Sequence, residues 1–269
     1  GLERRPLHVI SANMHSVMNT FYATEALSHT ESCDELYVNL SLDENCHLRS
    51  RVKEYALGHG MIHIDDASGA NVDVQIFDCG LIPSLKERYK DTPCEAIPII
   101  LVIDYAFGEQ AYEIMYELLR PIEPDTHTKV FLDIKSISIM GKAGILCGKK
   151  GEIMIPTAHI FEGTADNYPF DNALSAADFK DCGIPAYQGP MISVLGTSLQ
   201  NKDILEFFMR SSWRVIGLEM EGAHYQKAIQ AHSRIRGNIS SDVVLRYAYY
   251  ASDCPLDTST TLAQRPRGV

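Results

Sequence analysis

Short apolar segments rich in β-branched residues alternate along this chain with longer segments of helical periodicity. Residues 97–104 form a near-continuous apolar run, as expected for a strand that is buried on both faces. A helical pattern follows at residues 109–120 and ends before Pro121. Further strands are predicted at residues 7–11, 36–42, 72–78, 130–140, 152–156, 191–195, 214–218 and 243–250. The alternation predicts an α/β fold whose central sheet is mixed, mostly parallel and twisted, with helices on its flanks.

Length and charge narrow the classes of protein and of partner. A chain of 269 residues suits one α/β domain, which we expect to span residues 1–269. Lys and Arg total 24 against 35 for Asp and Glu, and the formal net charge of −11 argues against a nucleic-acid polymer as partner. No apolar run approaches the roughly 20 residues that span a bilayer, so no membrane partner is expected. Seven widely spaced cysteines predict reduced thiols and a cytoplasmic protein.

The first candidate for chemistry is residues 217–223, where an apolar strand leads directly into two carboxylates and then a helix. If the segment is extended, Glu219 and Glu221 face the same side, where sugar hydroxyls would be suitable donors to them. The structural alternative is a helix N-terminus whose glutamates complement the helix dipole.

The second candidate is residues 249–255, at the end of the last predicted strand. Ligands of open α/β sheets collect at the carboxyl ends of strands, and an Asp253 flanked by aromatic residues could be desolvated and held protonated. The alternative is that Ser252 and Asp253 cap a turn.

Two glycine-containing segments complete the set. Residues 138–144 place glycines and Lys142 at a predicted strand end, where a ligand could approach the backbone closely. Residues 104–111 form a strand-to-helix turn whose backbone N–H groups could meet an anion. Ordinary loops with a solvated lysine are the structural alternative for both segments.

Taken in chain order, these four segments resemble the nucleoside phosphorylase/nucleosidase superfamily. Residues 219–223 resemble its ribose-binding Met-Glu signature, and Ser252-Asp253 resembles its base-recognition signature. Residues 140–144 with 151–156 are similar to its "T-G-S-A-G-G … G-D-I-V-V-P" block, and residues 104–111 to its "S-G-I-G-x-x-x-A" turn. The resemblance covers residues 7–19 and 97–256 and leaves an atypical segment at about residues 30–95, which could build part of a pocket or an oligomer interface.

The resemblance implies cleavage of a purine N-glycosidic bond. In this scheme Glu221 and Glu219 belong to the ribose signature, Met220 packs under the ribose, and Asp253 protonates the base, oriented by Ser252. Ala143 and Gly144 border the base, while Lys142 and Gly108 meet phosphate or the activated water. Residues 159–170, which include Phe161, are expected to cover the substrate as a loop. No metal or organic cofactor is required, and a homo-oligomer is implied.

The resemblance leaves the reaction open in three ways. Residues 252–256 are most similar to the "S-D-K-P-L" of AMP nucleosidases, which together with Lys142 favours a purine nucleotide such as AMP over a nucleoside. The phosphate loop "G-D-P-x-R" of phosphorylases is absent, so hydrolysis is favoured over the alternative of phosphorolysis. The glutamates that activate water in adenosine-type nucleosidases are replaced around His15, so His15 could be the base, the base could come from elsewhere, or hydrolysis could be impaired, as in a non-catalytic nucleotide-binding member.

A metal site is the remaining alternative. Residues 59–66 contain two histidines four positions apart and two aspartates, which suits a metal if the segment is helical. Gly58 and Gly60 disfavour a helix there. We therefore expect no metal.

Overall fold

The computed structural model describes residues 4–28, 32–196 and 201–257. The chain divides into two compact units, the first ending at Tyr105 and the second beginning at Ala106. Both contain strands and helices, and parallel and antiparallel strand pairs both occur, so the fold is the expected α/β class with a mixed sheet. That the whole chain forms a single domain stays a prediction.

Within residues 4–28 and 32–105, the first unit has four strands and three α-helices. Its strands lie in the order β1-β4-β3-β2, with β1 and β4 parallel and the other neighbours antiparallel. The bounds in chain order are β1 Leu7–Ser11, α1 Met14–Leu27, α2 Cys33–Ser41, α3 Cys46–Gly58, β2 Met61–Ile64, β3 Val74–Asp78 and β4 Ile99–Ile103.

Helix α2 corrects the strand predicted at residues 36–42. Ser32 and Glu35 form a capping box, in which the Ser32 hydroxyl accepts from the Glu35 backbone N–H and the Glu35 carboxylate accepts from the Ser32 backbone N–H. Leu36 and Leu40 are both buried, and their spacing of four residues places them on one face of a helix. The apolar positions therefore follow the helical period, although they also alternate locally like those of a strand.

The atypical segment at residues 30–95 supplies much of the first unit's core. Val52 and Ala56 of α3 and Phe77 of β3 are fully buried, in one apolar cluster with Met18 and Tyr22 of α1. The buried Tyr22 hydroxyl donates to the carbonyl oxygen of His59 at 3.0 Å. The segment therefore stabilises its own unit by packing.

Among residues 106–196 and 201–257, the second unit contains six strands and three α-helices. Strands β10, β6, β8, β9 and β5 each pair with the next, and β5 pairs again with β10, so the pairings close into a ring. The bounds in chain order are α4 Gln110–Leu118, β5 Ile134–Ile145, β6 Ile153–Phe161, β7 Asn167–Pro169, β8 Ala186–Ser193, α5 Lys202–Arg210, β9 Gly217–Glu219, α6 Gly222–Gln230 and β10 Val244–Asp253.

Strand β5 places two glycines inside the sheet, not in the turn predicted to follow a strand ending near residue 140. Gly141 pairs with Tyr249 of β10, whose ring lies 3.3 Å from where a Cβ atom would be. At Gly144 a Cβ atom would come within 2.9 Å of the Pro255 ring. The glycines of this motif thus make room for side chains of the protein itself.

Candidate active site

The two carboxylates of residues 217–223 lie in different environments, because the segment is not extended throughout. Strand β9 ends at Glu219, and Glu221 precedes α6 with φ −123° and ψ −26°. Glu219 is buried and Glu221 is half-buried. The segment is therefore not extended as far as Glu221, and the condition under which both side chains would face the same side is not met.

Glu219 organises the N-terminus of α6. Its carboxylate accepts hydrogen bonds from the backbone N–H groups of Glu221 and Gly222 and from the hydroxyl of Ser193. The Ser193 hydroxyl oxygen in turn accepts from the Ala223 backbone N–H at 2.8 Å. The carboxylate is fully shielded from solvent and accepts these bonds within the protein, so we assign Glu219 the structural role at a helix N-terminus.

His159 supports this buried carboxylate from β6. Its Nδ1 lies 3.4 Å from Glu219 Oε1, and both side chains are fully shielded from solvent. Burial opposes ionisation of Glu219, but His159, Ser193 and the Gly222 N–H together bring its pKa below the ordinary value. The sequence placed His159 in a substrate-covering loop, whereas it is an interior strand residue.

Glu221 brings two of the predicted motifs together. The backbone N–H of Gly108 donates to Glu221 Oε1 at 3.0 Å, and that of Met220 donates to Oε2 at 3.3 Å. The anion met by the turn at Gly108 is thus the Glu221 carboxylate. Burial, with a smaller effect from the negative charge of Glu219, raises the pKa of Glu221 to about 7.

Asp253 ends β10 with one oxygen held and the other free of protein donors. The Ser252 hydroxyl donates to Asp253 Oδ1 at 2.7 Å and is also 3.4 Å from the carbonyl oxygen of Ala143. Asp253 is 8% exposed, and its buried Oδ2 has no hydrogen-bond partner. A buried carboxylate oxygen without a partner is costly, and a ligand donor would relieve that cost.

The register of β5 relates the Glu221 and Asp253 motifs. Gly144 pairs with Leu218 of β9 on one side and with Asp253 of β10 on the other. Because neighbouring strands lie about 4.8 Å apart, the backbones of Leu218 and Asp253 are separated by at most about 10 Å. Since β9 is antiparallel and β10 parallel to β5, the motifs meet beside Gly144 and do not share one carboxyl edge, as the sequence had suggested.

Further polar atoms without partners lie in the same unit. His159 Nε2 and the Tyr249 hydroxyl are buried with no hydrogen-bond partner, and the two rings are 5.9 Å apart in an edge-to-face arrangement. Burial holds the pKa of Tyr249 well above its ordinary value, so the hydroxyl stays a potential donor. The sequence pattern assigned Tyr249 no function of its own, and its position in residues 249–255 beside Asp253 was the one signal for a role at the site.

The remaining predicted residues are placed as follows. Lys142 is exposed while Ala143 is buried, because successive strand residues face opposite sides. Met220 is 39% exposed, and the half-buried ring of Phe161, at the end of β6, lies 5.0 Å from the His224 ring of α6. His15 is an exposed residue of α1 in the first unit, so its role as base stays a prediction.

Two cavities of the second unit are lined by other residues than these. One of about 400 Å³ is lined by residues 131–135 and 237–243, and another of about 330 Å³ by residues of the 170–173 and 226–245 ranges. None of the predicted site residues lines either cavity. We locate the candidate site by its chemistry, at Glu221 and Asp253.

The fold is similar to those of solved nucleosidase structures, in line with the resemblance of the motifs. A protein of Weissella paramesenteroides that is described as a methylthioadenosine nucleosidase has a similar structure, with 11% sequence identity and a TM-score of 0.52. The match covers 92% of this chain and 88% of that one. The 5′-methylthioadenosine/S-adenosylhomocysteine nucleosidase of Campylobacter jejuni has 12% identity and a TM-score of 0.52, covering 96% and 89%. Futalosine hydrolase of Helicobacter pylori has 12% identity and a TM-score of 0.50, covering 93% and 88%.

The helices were also searched for membrane spans, and the sequence was compared with curated proteins and family models. Among the helices of residues 4–28, 32–196 and 201–257, none combines the length and apolar character that a membrane crossing requires. No curated protein matches the chain. A family model does match residues 33–268, and the chain therefore belongs to that family, described as a family of unknown function (DUF6909).

Proposed function

We propose that this protein hydrolyses the N-glycosidic bond of a purine nucleoside or nucleotide. The observation that carries the proposal is the buried Asp253, whose Oδ1 is held by Ser252 and whose Oδ2 has no partner. The similar folds of two kinds of nucleosidase support this assignment.

In the proposed reaction Asp253 is the general acid. The bond between C1′ of the sugar and the base breaks, and its electron pair moves into the purine ring. A proton from Asp253 Oδ2 reaches N7 of the purine, so the base departs neutral. Water then adds to C1′ and loses a proton to a general base.

Glu221 is the proposed sugar-binding group. As a carboxylate it can accept hydrogen bonds from two hydroxyls, and the Gly108 N–H fixes one of its oxygens. Its pKa of about 7 means that this acceptor form predominates only above that pH. The partly exposed Met220, next in sequence, is positioned to pack against the apolar face of the ribose.

The finer proposal is that the substrate is a nucleotide such as AMP, with the exposed Lys142 near its phosphate. Two alternatives differ in outcome. A phosphorylase would need inorganic phosphate as co-substrate, and a non-catalytic member would bind the nucleotide without releasing base.

The test is to incubate the full chain with AMP, adenosine, inosine and methylthioadenosine, each with and without phosphate, and to quantify free base by chromatography. We expect base without phosphate, fastest from AMP. Base formed only with phosphate would favour phosphorolysis. Calorimetric binding of AMP without any base would favour the binder, and neither binding nor base from any of the four would contradict the proposal.

A further inference from the structure

The β2–β3 hairpin of the first unit places four polar side chains on one face. His63 of β2 pairs with Gln75 of β3, and Ile64 pairs with Val74. Asp65 and Asp73 are the next residues beyond the Ile64–Val74 pair, so they begin and end the connecting loop. Because strand side chains alternate, His63 and Asp65 share a face, and so do Asp73 and Gln75 opposite them.

The ligand-type atoms of three of these residues converge. His63 Nε2 lies 3.1 Å from Asp65 Oδ1 and 3.7 Å from Asp73 Oδ2. One such atom from each residue lies within 4.8 Å of the other two. Metal–ligand bonds of about 2.0–2.2 Å put ligand atoms roughly 3–3.6 Å apart, so only small adjustments would be needed to enclose an ion.

The loop itself holds Asp73 in this position. Asp73 Oδ1 accepts the Asp66 backbone N–H at 2.9 Å, which leaves Oδ2 directed toward His63. The Asp66 carboxylate accepts hydrogen bonds from the backbone N–H groups of Ser68, Gly69 and Asn71. Asp66 therefore closes the loop while Asp65 and Asp73 keep free oxygens.

The negative charges of the hairpin loop would be offset by a bound cation. Asp65 and Asp73 face each other across the strands, and like charges in that position repel. Residues 64–74 contain three aspartates and no lysine or arginine. In the described chain, neither Asp65 nor Asp73 forms an ion pair with a lysine or arginine; His63 is the partner of both.

Gln75 supplies an independent sign of a ligand. It is 2% exposed, its Nε2 lies 3.5 Å from His63 Nδ1, and its buried Oε1 has no partner. Turning the amide by 180° would place Oε1 beside Nδ1, where it could accept the Nδ1–H. His63 Nε2 would then carry a free lone pair directed at the two carboxylates, as in histidines that bind metals.

We propose that His63, Asp65 and Asp73 bind one divalent first-row transition metal ion of the Zn²⁺ type, with Gln75 orienting His63. A mixed imidazole and carboxylate set favours such an ion over Mg²⁺ or Ca²⁺, which prefer oxygen alone. Asp65 is 86% exposed, so water completes the coordination. The ion ties together the two ends of the loop and has no part in the proposed glycosidic reaction.

The test is calorimetric titration of the chelator-treated full chain with ZnCl₂, in the presence of millimolar MgCl₂. We expect the wild type to bind one equivalent of zinc and the Asp73→Asn and Asp65→Asn variants to bind none. Zinc should also raise the Tm of the wild type above that of the metal-free chain. Gln75→Leu should weaken zinc binding about 10- to 100-fold, because it removes the hydrogen bond that orients the metal-binding histidine. His47→Ala, at an exposed histidine of α3, is the matched control and should bind as the wild type does.

Two results would overturn the proposal. One is a wild-type chain that binds no zinc, or that loses it to magnesium. The other is an equivalent that persists in Asp73→Asn, which would place the ion elsewhere, for example at exposed cysteines. Circular dichroism of each variant checks that the hairpin substitutions leave the fold intact. If Asp73→Asn unfolds, the loss of zinc binding is measured in Asp65→Asn instead, because Asp65 is the most exposed of the proposed ligands.

Discussion

The two units treat their buried polar groups differently. In the first unit Arg5 donates to both oxygens of Asp78 at 2.7 Å, and the Tyr22 hydroxyl donates to the His59 carbonyl oxygen. In the second unit His159 Nε2, His232 Nε2, the Tyr249 hydroxyl and Asp253 Oδ2 are buried without hydrogen-bond partners.

The difference separates packing from chemistry. Polar groups that only support a fold are satisfied within it, because each unmet hydrogen bond costs about 1–3 kcal/mol. Of the unmet groups of the second unit, Asp253 Oδ2 and the Tyr249 hydroxyl lie in a motif proposed to carry the reaction, so they fit a site that binds a ligand there, whereas His232 lies outside the motifs. The first unit also has buried unmet oxygens, at Asn19 and Gln75, and the latter belongs to the proposed metal site.

The largest expected effect is that of Asp253→Asn. Asparagine keeps the shape and the hydrogen bond from Ser252 but cannot deliver a proton, so base release should fall about 10²- to 10⁴-fold. The measurement is the rate of base formation at saturating substrate. Asp203→Asn, at an exposed aspartate of α5, should retain full activity. Unchanged turnover in Asp253→Asn would remove the general acid from the mechanism.

Glu221→Gln should stabilise the protein at alkaline pH. The pKa of Glu221 rises from 4.5 to about 7 on folding, so its contribution to stability is complete below pH 4.5 and is lost as the pH rises to 7. The variant should therefore exceed the wild type by up to about 3 kcal/mol at pH 8 and match it near pH 4.5. Denaturant unfolding at both pH values measures this.

Glu113→Gln, at an exposed glutamate of α4, provides the control for Glu221→Gln and should show no such pH dependence. A Glu221→Gln variant that is less stable than the wild type at pH 8 would mean that Glu221 is a structural carboxylate like Glu219.

A pair of Tyr→Phe variants compares the two interiors directly. Tyr22→Phe removes a hydroxyl that donates to His59 and should destabilise the protein by about 1 kcal/mol. Tyr249→Phe removes a hydroxyl without a partner and should leave stability unchanged or raise it by about 1 kcal/mol. Equal losses in both variants, measured by urea unfolding, would erase the distinction between the units.

The smallest effect concerns the turn that holds Glu221. Gly108 has φ +53°, and nothing lies within 4 Å of a Cβ atom built there. Gly108→Ala should therefore cost only about 1 kcal/mol in backbone strain, and Gly108→Asn less, because Asn tolerates this region. A loss of several kcal/mol in the thermal unfolding of either variant would show that the turn is more constrained than its surroundings indicate.

Local signals predicted part of the fold and failed where two periods overlap. Strand β1 falls on residues 7–11 as predicted, because a short β-branched run has little choice of structure. Residues 36–42 fit both an alternating and a helical pattern, and the capping box at Ser32 favours the helix. The position of β5 depends on the aromatic residue opposite Gly141, which no local pattern contains.

The amino-acid sequence specifies the chemical groups of this protein, namely the positions of its carboxylates and glycines and the order of the four motifs. How each carboxylate is used depends on the fold, because its burial and its hydrogen-bond partners come from residues that are distant in sequence. Glu219 and Glu221 are two residues apart, yet one is held by Ser193 and His159 and the other by Gly108. That division between a structural and a proposed sugar-binding carboxylate follows from which donors the closed ring of strands brings to each.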